Sequence, residues 1–172
     1  MKKRQFPGLV LAGLCLLFAC GCGSEPENKF FDLEDEVSTA FFNYRVEEIT
    51  VHRNYHGMQA NEGHQIVVVD LEIENTEDYE LPMGRYDFRV QWGAGEEDYA
   101  YPETWYYQRQ FPNEYSIPEE RSAEGELVFQ VPREQREMTL AYLEVFENET
   151  QGDAYFTYFT VEGGANPEGL RG

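Results

Sequence analysis

Past residue 22 the chain contains no cysteine. The three in its 172 residues are Cys15, Cys20 and Cys22. A domain folded from the rest has no pair to form a disulfide, and no C-x-x-C…C-x-x-C pattern exists to hold zinc. Its stability must come from an apolar core. A chain of about 150 residues buries about 68–70% of its surface, which is enough.

Positive charge is also scarce. Thirteen Lys+Arg stand against 33 Asp+Glu, a formal net charge of −20. Nucleic acid is excluded as a partner, because phosphates need a basic footprint. A basic patch holding anionic lipid is excluded for the same reason. The 15% of aromatic residues are too many for a disordered acidic chain, which lacks side chains to bury. The length suits one domain.

The common catalytic motifs are missing. There is no G-x-S-x-G, H-E-x-x-H, P-loop or G-x-G-x-x-G. Ser24, Ser38, Ser116 and Ser122 sit in tether or loop contexts, which suits no triad of nucleophile, base and orienter. His52 and His56 share a face only in a helix. Their local pattern is strand then turn, so with His64 they read as loop or surface histidines. The acidic runs Asp32–Glu36 and Glu96–Asp98 lack the D-x-D-x-D-G loop that calcium favours and read as solvated charge. The expectation is a protein that is not an enzyme, with no metal and no cofactor.

The N-terminus carries more information. Lys2, Lys3 and Arg4 precede an apolar stretch from Phe6 to Ala19. At roughly 14 residues the stretch is short of the ~20 that span a bilayer, and it fits the apolar region of a secretory signal. Leu17-Phe18-Ala19-Cys20 resembles a bacterial lipobox: aliphatic at −3, small at −1, cysteine after the cut. That resemblance implies cleavage before Cys20 and acylation of its thiol, and often of its new amine. Cys22 is the alternative anchor, with Ala19 at −3 and no aliphatic there. An ordinary cleaved signal is the other reading. Two or more acyl chains give stable attachment, at ~0.8 kcal/mol per buried CH₂. Loss of residues 1–19 removes three cations and no acid.

The expected organisation is therefore a lipoprotein signal peptide at 1–19 and a lipidated cysteine with a disordered acidic tether at 20–40. A domain follows at 41–162, and a flexible tail at 163–172. Like charge on tether and bilayer is expected to hold the domain away from the membrane.

Within the domain the dominant signal has a period of two. Val67, Val69, Leu71 and Ile73 alternate with Asp70, Glu72 and Glu74. Tyr86, Phe88, Val90 and Trp92 alternate with Arg85, Asp87, Arg89 and Gln91. Leu127, Phe129 and Val131 form a third set, and Tyr155, Thr157, Phe159 and Val161 a fourth. Such alternation predicts half-buried strands of an antiparallel sheet. Weaker strands are expected at Phe42–His52, Tyr99–Tyr101 and Met138–Phe146. Glu103–Gln110 offers one or two helical turns. Turn signals at 54–57, 75–78, 93–95, 118–120 and 148–153 separate the strands. About seven strands with these breaks predict an all-β, immunoglobulin-like antiparallel sandwich.

The block HQIVVVDLEIENTEDYE at 64–80, together with Gly125–Pro132, resembles an uncharacterised immunoglobulin-like domain found in bacterial surface lipoproteins. The order and spacing match over roughly 46–161. The segment at 118–124 departs from that pattern. The resemblance implies a fold and a surface location, and it brings no catalytic residue. By local physics Asn75 closes a strand through its side chain, and Pro132, lacking an N–H, stops a ladder.

The segment 99–115 is unusually aromatic. Tyr101, Trp105, Tyr106, Tyr107, Arg109 and Phe111 form a possible binding face, since Tyr, Trp and Arg dominate binding hot spots. The competing expectation is that these rings cover an open end of the core. The sequence thus predicts a lipid-anchored, extracytoplasmic, noncatalytic binding domain of the cell envelope. Its partners are the membrane through the anchor and an envelope protein, peptide or glycan. The rival readings are a purely structural envelope domain and a metal-dependent or hydrolytic enzyme.

Overall fold

A computed structural model describes residues 25–146 and 148–162. The expected signal peptide, Cys20, Cys22 and the C-terminal tail lie outside the described residues. The strands are β1 (Asn28–Phe31), β2 (Val37–Ser38), β3 (Phe42–His52), β4 (Asn54–Tyr55), β5 (Met58–Gln59), β6 (His64–Asn75) and β7 (Leu81–Gly84). They continue with β8 (Phe88–Gln91), β9 (Tyr99–Ala100), β10 (Glu114–Ile117), β11 (Ser122–Pro132), β12 (Glu137–Val145) and β13 (Gln151–Thr160). No helix occurs among the described residues.

Two sheets dominate. One has five strands in the order β1-β13-β12-β8-β9, the other four in the order β11-β6-β3-β2. Two short pairs, β10-β7 and β4-β5, complete the architecture. The fold is an all-β sandwich, as the alternation predicts. Val67, Val69, Leu71 and Ile73 of β6 face inward with Leu127, Phe129 and Val131 of β11. They meet Leu140 and Tyr142 of β12 and Tyr155 and Phe159 of β13. Phe42 packs edge-on against Tyr142 across the sheets, with ring centroids 4.7 Å apart. The Tyr44 and Thr157 hydroxyls share a hydrogen bond of 3.1 Å. Each buried large apolar side chain contributes ~1.5–3 kcal/mol, so the core stands without a disulfide.

Several local features differ from the sequence expectations for physical reasons. The alternation of β3 is weak because a bulge lies between Val46 and Glu48. Glu47 is the extra residue, and it shifts the inward set from Val46 to Ile49. The ordered domain also begins well before residue 41. β1 lies inside the stretch expected to be tether and pairs in parallel with β13, Asn28 opposite Ala154 and Phe31 opposite Thr157. Val37 is fully buried. Apolar Phe30, Phe31 and Val37 hold this stretch down against its acidic neighbours.

Glu103–Gln110 forms no helix and holds a single hydrogen-bonded turn, Gln110 N to Tyr107 O at 3.3 Å. The segment is a strap along β11, an edge strand whose backbone groups need partners. Glu103 N donates to Val128 O at 2.7 Å, Glu126 N to Arg109 O at 2.9 Å, and Phe111 N to Glu126 O at 3.1 Å. Buried Gln110 shapes the strap by accepting from Tyr106 N at 3.1 Å and donating to Glu103 O at 2.7 Å.

The turns follow their chemistry. His56 and Gly57 both have positive φ, 47° and 90°, as the tight β4–β5 hairpin requires. The Asn75 amide donates to the carbonyls of Tyr79 (2.8 Å), Ile117 (3.0 Å) and Pro118 (3.2 Å), and its oxygen accepts from Glu77 N at 2.9 Å. Pro132 ends β11.

Candidate binding surface

The six residues expected to form one face divide among three environments. Phe111 is 7% exposed. It lies on Gly125, where an added Cβ would meet its ring at 3.0 Å, and it stacks on Tyr115 at 4.9 Å. Tyr106 and Tyr107 are half-buried over Ile66, Val68 and Val128, with Tyr55 and Met58 of the hairpin. Together these rings roof the outer side of β6 and β11. Tyr101 and Trp105 remain exposed, at 36% and 49%. The segment thus covers the outer side of β6 and β11, not an open end of the core, and leaves Tyr101 and Trp105 in solvent.

Arg109 belongs to a polar nest under the roof. Glu126 points outward from β11 yet is only 4% exposed. Tyr55 Oη donates to its Oε2 at 2.8 Å, and Tyr107 Oη donates to the same oxygen. Arg109 Nε lies 3.1 Å from Oε1, and its Nη2 lies 2.7 Å from Asp70. Burial first, then the hydrogen bond to Glu126, pushes the Tyr55 hydroxyl up to about 12. Nearby His52 is held below its ordinary value, chiefly by burial. Beside the nest is a cavity of about 200 Å³ lined by polar groups, among them Glu48, Thr50 and His52. Every oxygen of Glu126 is engaged, so the nest braces the roof.

The three histidines do not converge as a metal site. His52 and His56 flank the Tyr55 ring at 4.4 and 4.6 Å. His64 Nδ1 instead bonds its neighbour's carbonyl, Glu62 O, at 3.0 Å. Among the described residues no group of three or more His, Cys, Asp or Glu is placed to hold a metal ion.

Exposed rings gather on the five-stranded sheet. At its β8–β9 edge, Tyr101 packs edge-on against Tyr86 at 5.1 Å and Tyr99 at 5.5 Å. The Arg85 guanidinium lies over Tyr86 at 4.6 Å and that of Arg89 over Tyr99 at 5.1 Å. Arg85 Nη1 donates to Thr104 at 2.6 Å, while its buried Nε has no hydrogen-bond partner among the described residues. Neither arginine is in an ion pair there. Each keeps donors in the plane of its guanidinium, a fork suited to carboxylates.

A groove of about 620 Å³ runs from Tyr86 and Tyr101 to Leu143, Val145 and Phe156. Beyond it, towards β1, Phe30 stacks on Phe156 at 5.4 Å and on Tyr158 at 5.8 Å. These positions were not singled out from the sequence. The signal was present: Phe156 and Tyr158 occupy the positions between the inward Tyr155, Thr157 and Phe159. An antiparallel strand apolar on both sides has a second surface to cover or to offer.

The two outer faces differ in charge. Outward positions of β3, β6 and β11 carry Glu48, Asp70, Glu72, Glu74, Glu124 and Glu126 against Arg45. Outward positions of β12, β13 and β8 carry only Glu137 and Arg89.

Comparison with known proteins places this sandwich. A family model matches residues 31–151, most of the chain. The chain belongs to the family described as a domain of unknown function, DUF4352. Solved structures share the DUF4352 chain's fold at low identity. A candidate lipoprotein of Bacillus subtilis, ycdA, superposes with a TM-score of 0.55 at 16% identity, over 76% of this chain and 39% of ycdA. The chain thus spans well under half the length of that neighbour. The yjhA protein of Bacillus subtilis gives 0.51 at 11% identity, over 75% of this chain and 98% of yjhA. No match was found among curated proteins.

Proposed function

We propose that this DUF4352 chain is a lipid-anchored, extracytoplasmic and noncatalytic binding module of the cell envelope. Acylation at Cys20, with Cys22 as the alternative, holds it to the membrane. The β8–β9 edge contacts a protein partner. The observation that carries the reading is the gathering of Tyr86, Tyr99 and Tyr101 with Arg85 and Arg89. Tyr and Arg are the hot-spot residues of protein interfaces, and here they form an exposed cluster on an otherwise acidic molecule. A candidate lipoprotein of the same fold supports the envelope address.

The test is photo-crosslinking in living cells. A photoreactive side chain replaces Tyr86 in one strain and Glu72, on the acidic face, in another. Defined protein adducts from position 86 and none from position 72 are expected. Equal adducts from both positions, or none from 86, would sink the binding role.

A further inference from the structure

We infer that the anchored domain rests on the lipid bilayer through the outer face of β1, β13 and β12. This rests on the lipid anchor proposed above and adds an orientation to it. Three observations point the same way.

The first is direction. Asn28 pairs with Ala154, and Ala154 with Leu143. Glu27 N donates to Asp153 Oδ1 at 2.9 Å, and Ala154 N to Glu27 O at 2.9 Å. The chain before β1 therefore leaves the sheet at the end where β12 finishes. About eight residues separate Cys20 from Asn28, a reach of roughly 28 Å when fully extended. The anchor keeps the bilayer at a high effective concentration beside this end. Tethering of that kind populates contacts too weak to form in free solution.

The second is chemistry. Leu143, Val145 and Phe146 are exposed at that end, and Phe30 and Tyr158 are exposed on the same face. Aromatic and aliphatic side chains presented together fit the interfacial zone of a bilayer. Contiguous exposed apolar positions mark a contact surface.

The third is charge. The acids of the other sheet, Asp70, Glu72, Glu74 and Glu124, point away from this face. Packed sheets are about 10 Å apart, while repulsion from an anionic surface decays within about 8 Å at physiological salt. With the five-stranded sheet turned to the lipid, these acids lie beyond that range. The turn acids Glu119 and Glu120 precede β11 of the far sheet, whereas Glu80 and Asp87 line the groove beside Leu143 and Val145. Net charge alone predicts a domain held off the membrane, and the uneven spread of acids between the two sheets lowers that barrier on this face.

The test uses the acylated protein purified from membranes and reconstituted in vesicles of phosphatidylethanolamine with a minor share of phosphatidylglycerol. Cys22→Ser leaves the introduced thiol as the sole free one, at Val145→Cys or, on the acidic face, at Glu72→Cys. Each carries an environment-sensitive dye. Flotation with the vesicles reports the anchor. A blue shift and quenching by nitroxide lipid at position 145, with neither at 72, is the expected result. Adding Leu143→Glu should abolish the quenching at 145 without affecting flotation, and circular dichroism checks that it folds. Flotation with position 145 as open to aqueous quencher as position 72 would overturn the docking and leave the anchor standing. A protein that floats with Cys22 intact but not as Cys22→Ser moves the anchor to Cys22, and one that floats in neither form overturns both anchor and docking. Protein adducts from position 145 in cells, in place of lipid contact, would also overturn it while leaving the binding role intact.

Discussion

Tyr55 Oη donates to Glu126 Oε2 at 2.8 Å, joining residues 71 positions apart in the chain. The bond ties the β4–β5 hairpin to the edge strand β11. Tyr107 donates to the same oxygen, so one buried carboxylate holds both the hairpin and the strap over Ile66, Val68 and Val128. Truncating Glu126 strands two phenolic hydroxyls and one side of Arg109. Hydrogen bonds to a charged group contribute ~1.5–3 kcal/mol each, and exposed Arg109 adds little. Glu126→Ala is expected to lower stability by about 2–4 kcal/mol in urea unfolding. Glu126→Gln, which keeps one acceptor, should lose less. Limited proteolysis should then cut first within 103–110. An unchanged urea midpoint in Glu126→Ala would refute the bracing role.

Gly125 faces Phe111 so closely that any larger residue displaces the ring. The ring has little room to move, because it is buried and stacked on Tyr115. Gly125→Val should cost about 1–3 kcal/mol through overpacking. Phe111→Ala should cost about 3–5 kcal/mol through the cavity it opens. Combined, the two should be less damaging than their sum, since valine fills part of the space the ring vacates. Thermal melts of the three variants decide it, and strict additivity would mean that Gly125 matters for its backbone alone.

Trp105 is half exposed, and only its backbone is anchored, by Asn113 Oδ1 at 2.9 Å. Trp105→Ala is expected to change stability by no more than about 0.5 kcal/mol, as surface substitutions do. Tyr106→Ala, on the roof, should cost clearly more, because it loses apolar contacts and the bond from its hydroxyl to Tyr55 O at 3.1 Å. Neighbouring residues of one aromatic run would then separate in a denaturant titration. Similar losses in both would place Trp105 in the core.

The alternation made the long strands legible. β6 and β11 bury the positions that period two selects, and Asn75 and Pro132 end strands for reasons local to each residue. β3 was faint because the Glu47 bulge breaks its phase. β1 was missed because Phe30 and Phe31 sit in an acidic stretch and gain a partner only from a strand 126 residues away. The helical spacing of Trp105, Tyr106 and Arg109 reflects a strap that wraps an edge, where tertiary contacts override local periodicity. Glu126 falls on the outward phase of β11, but sequence periodicity carries no sign that a hairpin would roof it. The apolar face of β13 was there to be found and needed only the question of what occupies its other side.

The buried tyrosines make stability depend on alkaline pH. Burial pushes the Tyr44 hydroxyl up to about 12 from 10.0, with its bond to Thr157 opposing. Burial likewise raises Tyr115, Tyr142 and Tyr155. Above pH 10 the unfolded chain releases these protons and the folded chain keeps them. The stabilising contribution is therefore whole below pH 10 and falls as pH climbs towards the folded values. Each fully buried tyrosine takes away about 1.4 kcal/mol per pH unit in that window. Several acting together exhaust a typical stability of about 5–15 kcal/mol within one or two pH units. Urea midpoints should be level from pH 8 to pH 10 as far as tyrosines decide them, then fall steeply. Tyrosinate absorbance should appear together with unfolding, not before it. Gradual ionisation of a still-folded protein at pH 11 would show that these hydroxyls are open to solvent.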